Sequence, residues 1–141
     1  MRSSMEEMIF LDTSLLVALE VETDQNHIKA VEVRDKIIEG NFGNAIISDY
    51  VFDETLTATL QKTRDLEKAV IVGENLRNSL EIINLEPETL EEAWNLFKYQ
   101  KQTKFSFTDC TILVIMRGNA IKNIATFDKD FLRIKDIKVI H

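Results

Sequence analysis

Apolar positions along the chain fall either into short unbroken runs or at helical spacing, and the two patterns alternate. Met8–Leu11 (MIFL) is such a run and predicts a buried strand. Asp12, Thr13 and Ser14 follow at once, so a carboxylate stands where a helix over Ser14–Val21 begins. Asn26 can cap a second helix reaching about Glu39. There Ile28, Val31, Ile37 and Ile38 form the apolar side, with Lys29, Glu32, Arg34 and Asp35 outward. The breakers of Gly40–Asn44 lead into a strand over Ala45–Ile47. A long helix, Tyr50–Thr63, carries Val51, Phe52, Leu56 and Leu60 on its apolar side, with Asp49 placed to cap it. Asp65–Asn78 predicts another helix with Gly73 as a weak point, and Leu80–Leu85 a third strand. Pro87 opens a helix extending to about Gln102, with Glu88, Glu91 and Glu92 in its first turns. Ser106–Asp109 introduces the most apolar helix, Cys110–Met116, which should be central and buried. Asn123–Thr126 predicts the fourth strand, Phe127–Phe131 a turn, and Ile137–Ile140 a last strand.

Strands alternating with helices define the α/β class: a mostly parallel central sheet of four to five strands flanked by helices. Right-handed crossovers then bring the strand C-termini to one rim, where ligands of open α/β sheets bind. The 141 residues suit one domain over 8–141. Residues 1–7 are expected to be a disordered leader, with Met5 and Met8 as alternative starts. The leader has no apolar signal core and no run approaches a membrane span, so the expected location is cytoplasmic, away from membranes. A single cysteine, Cys110, excludes an intrachain disulfide and a Cys-based zinc site and fits a reducing compartment.

Charge refines this picture. The net charge of −7 argues against a nucleic-acid partner, but its distribution is uneven. Residues 1–97 carry 8 Lys/Arg against 20 Asp/Glu, whereas residues 98–141 carry 9 against 4. The basic C-terminal third is compatible with a phosphate-binding rim and equally with a solvated face.

Four acids fall at the predicted rim: Asp12 after the first strand, Glu54 early in the helix after the second, Asp109 in the first turn of the apolar helix, and Asp128 after the fourth strand. Each has a structural reading. Asp12 could cap its helix, Asp109 could complete a capping box with Ser106, Asp128 could cap its turn, and Glu54 could be a surface residue. Together they are harder to set aside. Two like charges ~4 Å apart repel by roughly 4 kcal/mol at an effective dielectric of ~20, so converging carboxylates require protons or cations. Oxygen ligands without His or Cys select Mg²⁺ or Mn²⁺, ions that activate water for attack on phosphodiesters.

The strings LDTSLL (11–16), ISDYVFDETL (47–56), FSFTDCTIL (105–113) and IATFDKDF (124–131) resemble, in order and spacing, the four acidic motifs of the PIN domain family. The look is closest to VapC-type toxins of toxin–antitoxin pairs, which are Mg²⁺/Mn²⁺-dependent ribonucleases. The resemblance implies a PIN-like fold, an RNA substrate, an antitoxin partner and a homodimer. It implies Asp12, Glu54, Asp109 and Asp128 as catalytic metal ligands, with Thr13, Thr108 and Thr126 as polar supports. Asp53 beside Glu54 and Asp130 near Asp128 compete for the same roles; Glu54 and Asp128 occupy the family's positions. Lys104, Arg117, Lys129 and Arg133 are candidate phosphate contacts, against a reading as solvated surface.

Other chemistries fit poorly. His27 lies on a predicted helix, His141 is the last residue, and Cys110 sits in an apolar helix, which leaves no nucleophilic triad. The turn 40–44 lacks the P-loop lysine and Gly-rich spacing. A receiver-type phosphoacceptor domain would need a paired acid early in the chain, and Glu6 and Glu7 precede the first strand. A non-toxin RNA-processing nuclease and a catalytically silent interaction module remain as alternatives.

Overall fold

The computed structural model describes residues 7–141; the expected leader over 1–7 lies, apart from Glu7, outside the described residues. β1 (Met8–Leu11) is buried at all four positions, as a strand covered on both faces requires. It pairs in parallel with β2 (Asn44–Ser48) on one side and with β4 (Asn123–Ala125) on the other. β3 (Glu81–Ile83) and β5 (Lys138–Ile140) form the edges of a five-stranded, all-parallel sheet ordered β3-β2-β1-β4-β5. Around it stand α1 (Thr13–Glu20), α2 (His27–Ile38), α3 (Asp49–Thr63), α4 (Leu66–Ser79), α5 (Pro87–Lys98) and α6 (Phe107–Gly118). The expected single α/β domain with a parallel sheet is the observed one. Among the described residues, no helix is long and apolar enough to cross a membrane.

The strand order decides where the site lies. From β1 the chain moves outward to β2 and β3, then returns to the other side of β1 for β4 and β5. The direction of winding reverses between β1 and β4, and the cleft beyond their C-terminal ends is the switch point of such a sheet.

α6 is the buried helix its composition predicts, with Cys110, Thr111, Ile112, Leu113, Ile115 and Met116 all enclosed. Gly43 is required by geometry: its φ is +79°, and a Cβ there would run into the Glu7 carbonyl. The bend it permits brings Asn44 N–H to Glu7 O (3.3 Å), where β1–β2 pairing starts. Gly73, read from sequence as a weak point, allows close approach of α4 to α3, since a Cβ would meet the Leu56 side chain at 3.2 Å.

Several boundaries differ from expectation. Ser48, not Asp49, caps α3, its hydroxyl accepting from Val51 N–H (3.2 Å). Asp49 instead accepts from Leu85 N–H (3.3 Å) and ties the start of α3 to the chain beyond β3. α5 stops at Lys98 because the Gln100 side chain binds Phe105 N–H (2.7 Å) and Phe105 O (3.0 Å), turning the chain. The turn after β4 contains a short 3-10 helix, Lys129–Arg133. α2 buries Ala30 and Val33, while Ile28 and Ile38 are 74% and 73% exposed. Ile28 lies roughly 200° around the helix from Ala30, so it and Ile38 leave the buried face, whereas Ile37, one turn beyond Val33, packs against the core.

Candidate active site

Asp12 leaves the end of β1 with its N–H donating to Ala125 O of β4 (3.0 Å), which puts its side chain in the switch-point cleft. It is 4% exposed. It occupies the cap position of α1, yet its side chain makes no capping hydrogen bond. Oδ2 instead accepts from the hydroxyls of Thr126 (2.6 Å) and Ser14 (2.9 Å). Those hydroxyls accept in turn from Asp128 N–H and Phe127 N–H, both at 3.0 Å. The chain leaving β4 is thereby fastened to the carboxylate that ends β1.

The other acids reach the same cleft from separate elements. Glu54, on α3, accepts from the Thr13 hydroxyl through Oε1 (2.8 Å); Asp53, its neighbour, is exposed. Asp109 completes a capping box at the start of α6: its N–H donates to Ser106 Oγ (3.1 Å), and its Oδ2 accepts from Ser106 N–H (3.0 Å). A carboxylate has further acceptor capacity, so capping and site roles are compatible. Asp128 caps the 3-10 turn through Oδ1 and Asp130 N–H (3.0 Å). Asp12, Glu54, Asp109 and Asp128 line one open pocket of about 350 Å³, with Asp24 and Lys62 on its wall. A larger cavity, about 1070 Å³, lies between α5 and α6 and includes none of the four.

The remaining candidates separate by position. Thr13 supports Glu54 and Thr126 supports Asp12; the Thr108 carbonyl accepts from the Thr111 hydroxyl, and its side chain bonds none of the four carboxylates. Asp130 accepts from Lys104 N–H (3.1 Å) and pairs with Arg133 (3.6 Å), a structural arrangement. Lys104, Lys129 and Arg133 therefore cluster around the acid-bearing turn. Arg117 lies eight residues beyond Asp109, about 12 Å along α6, and is paired with Asp136 (3.3 Å). That placement takes it away from the pocket.

Electrostatics record the crowding. Burial pushes the Asp12 carboxyl above its ordinary value; the Thr126 and Ser14 hydroxyls and the Thr13 amide counter this, and the charge of Asp128 adds to it. Asp109 is lifted to about 7 by burial and then by the charge of Asp12. Burial pushes the Cys110 thiol up to about 11, with Asp109 adding to it, so it is no nucleophile. His27 donates from Nδ1 to Ala18 O (2.8 Å), a structural tie.

Among the described residues no three His, Cys, Asp or Glu side chains form a ready-made coordination cage. The donor chemistry nevertheless fits a hard divalent cation. The pocket's acids offer only oxygen, burial and the neighbouring carboxylates raise two of them, Asp12 and Asp109, and Lys62, on the pocket wall, pairs with Asp24 (3.9 Å).

The model of the PIN domain matches residues 9–137. The chain belongs to the PIN domain family.

Within it, the chain is 30% identical over 127 residues to the 23S rRNA-specific endonuclease VapC20 of Mycobacterium tuberculosis, covering 88% of this chain and 92% of that protein. A VapC ribonuclease of Archaeoglobus fulgidus is 27% identical over 122 residues, 86% of this chain and 77% of the relative. The crystal structure of VapC20, described as a Sarcin-Ricin loop cleaving toxin, superposes with a TM-score of 0.77 at 26% identity, covering 89% of this chain and 93% of that one. In VapBC2 from Rickettsia felis, bound to a promoter DNA fragment, the likeness is one of fold: TM-score 0.68 at 17% identity, over 94% and 97% of the chains.

Ser14, Asp24 and Lys62 are among the pocket residues of this PIN domain that sequence reasoning missed. Ser14 stands two positions from Asp12, and its small hydroxyl could have been counted with Thr13. Asp24 and Lys62 have no local signal, because only the packing of α1 and the following loop against α3 brings them to the pocket.

Proposed function

We propose that this PIN domain is a divalent-metal-dependent endoribonuclease, the toxin of a toxin–antitoxin pair, acting in the cytoplasm. The observation that carries the reading is the convergence of Asp12, Glu54, Asp109 and Asp128 on one pocket at the β1/β4 switch point. Kinship with VapC ribonucleases supplies the substrate class, RNA.

Mg²⁺ or Mn²⁺ would be held by the four carboxylates, and when bound it supplies charge neutralisation at the phosphate and an activated water. The protein's own contribution is to aim those oxygens and to offset part of the burial that raises them. Ser14 and Thr126 favour the charged form of Asp12. Thr13 fixes Glu54, and the capping box fixes Asp109. Lys104, Lys129 and Arg133 border the acid-bearing turn and provide cations for the RNA backbone. The products expected by family analogy are a 5′-phosphate and a 3′-hydroxyl.

An antitoxin segment would find exposed apolar side chains at Ile28 and Ile38 on α2 and at Leu66, Val70 and Ile71 on α4. A homodimer, as the resemblance implies, belongs to the same reading. Against a silent interaction module stands the complete set of acids, none replaced.

The test is cleavage of a panel of structured RNAs by purified protein with Mn²⁺, with EDTA, and with Asp12→Asn. Cleavage should require both the metal and Asp12. Full activity in EDTA or in the variant would overturn the proposal.

A further inference from the structure

α5 ends in an aromatic surface that the catalytic reading does not use. Trp94 is 46% exposed and Tyr99 72%. The Lys98 ammonium lies between them, 5.5 Å from the Trp94 ring and 5.2 Å from the Tyr99 ring. From Trp94 a row of rings runs inward: Phe97 at 6.0 Å, then Phe107 at 6.2 Å from Phe97, then Tyr50 at 6.4 Å from Phe107. Tyr50 lies one turn before Glu54 on α3, so the row ends beside the acid pocket.

The segment after Tyr99 joins the same two places by another route. Residues 98–104 read KYQKQTK, with exposed lysines at 98, 101 and 104. Gln100 holds the segment in shape by binding Phe97 O (3.3 Å), Phe105 O (3.0 Å), Phe105 N–H (2.7 Å) and the Thr103 hydroxyl (2.8 Å). Its far end, Lys104 N–H, is fastened to Asp130, two residues from Asp128. Exposed rings interleaved with lysines on a rigid backbone are what single-stranded nucleic acid uses. Bases stack on the ring faces while the ammonium groups follow the phosphates. A chain otherwise rich in acid has here a local cationic track leading to its acid pocket.

We infer that Trp94 and Tyr99, with Lys98, Lys101 and Lys104, form a platform for an unpaired stretch of the RNA substrate and feed that strand toward the acid pocket. The inference rests on the ribonuclease reading for its substrate. A base stacking on Trp94 displaces the flexible Lys98 side chain, whose ammonium is then free for a phosphate. The platform should favour single strands over duplexes, whose bases are already stacked.

Trp94 is the one tryptophan in the chain, so its fluorescence reports the platform directly. Wild-type protein in EDTA is titrated with a short oligouridylate and, separately, with a blunt RNA duplex. The oligouridylate should quench Trp94, more weakly as salt rises, and the duplex should not. Tyr99→Ala and Lys101→Gln, both at exposed positions, should each weaken oligouridylate binding, the ring removal by about tenfold. With Mn²⁺ the same variants should lower kcat/KM on a long RNA while leaving hydrolysis of a dinucleotide at the wild-type rate. No quenching, equal binding of the duplex, or a fluorescence change that follows protein concentration alone, the mark of self-association, would overturn the platform. Wild-type cleavage with unaffected variants rejects the platform and spares the ribonuclease; quenching without cleavage by any form does the reverse.

Discussion

Thr126 donates a 2.6 Å hydrogen bond to Asp12, a residue 114 positions earlier in the chain. The bond crosses the β1/β4 boundary and also orders the turn that presents Asp128, since Thr126 Oγ1 accepts Asp128 N–H. It opposes the burial that raises the Asp12 carboxyl above its ordinary value. Thr126→Val should therefore weaken Mn²⁺ binding by about tenfold or more, the scale of a hydrogen bond to a charged group. Thr126→Ser should restore it. Calorimetric titration of both variants checks this; an unchanged affinity in Thr126→Val would make the bond incidental.

The pH dependence of stability follows from Asp109, raised from 3.8 to about 7. Between those values the folded protein holds a proton that the unfolded chain has released. Stability from this group therefore falls as pH rises, and the loss is complete once pH passes the folded value. Without divalent ions the melting temperature should be higher near ~pH 5 than near ~pH 8, as far as this site controls it. Asp109→Asn, which keeps an acceptor for Ser106 N–H, should flatten the difference. A thermal melt series in EDTA reads both.

Added Mn²⁺ should abolish that slope. The cation competes with protons for the same oxygens, so its stabilising effect grows with pH through about 7. Melting temperatures with saturating Mn²⁺ at low and high pH measure this, and an equal shift at both would separate metal binding from these carboxylates.

Ser106 ties α6 to the site. Ser106→Ala removes the capping hydroxyl and should cost about 1 kcal/mol of stability, while Ser106→Thr should cost little. Because the cap also orients Asp109, the alanine variant should lose metal affinity beyond its loss of stability, as a titration well below its melting temperature would show.

How far the sequence reveals this depends on how local the determining physics is. β1 and α6 are enclosed on all sides, so their residues are apolar throughout and legible as runs. Asp12, Asp109 and Asp128 are legible because each sits at an element boundary that turn and cap chemistry marks, whereas Glu54, the sixth residue of α3, is singled out only by the resemblance of its motif. The buried face of α2 is only partly legible, because Ile28 and Ile38 stay exposed while Ala30 and Val33, with Ile37, do the packing. The cap of α3 fell to Ser48 because Asp49 has a distant partner in Leu85, which no window around residue 49 contains. Asp24 and Lys62 meet only through tertiary packing of α3 against the loop after α1, and Arg117 is withdrawn by a partner 19 residues on.

The central claim is that Asp12, Glu54, Asp109 and Asp128 together hold a divalent cation. The most direct measurement is Mn²⁺ titration, followed calorimetrically, of wild-type protein and of Asp12→Asn, Glu54→Gln, Asp109→Asn and Asp128→Asn, with Asp53→Asn as the neighbour control. Wild type and the control should bind alike, and each of the four should lose affinity, Asp12→Asn most. Unchanged binding in Asp12→Asn, or no binding by wild type, would contradict the account.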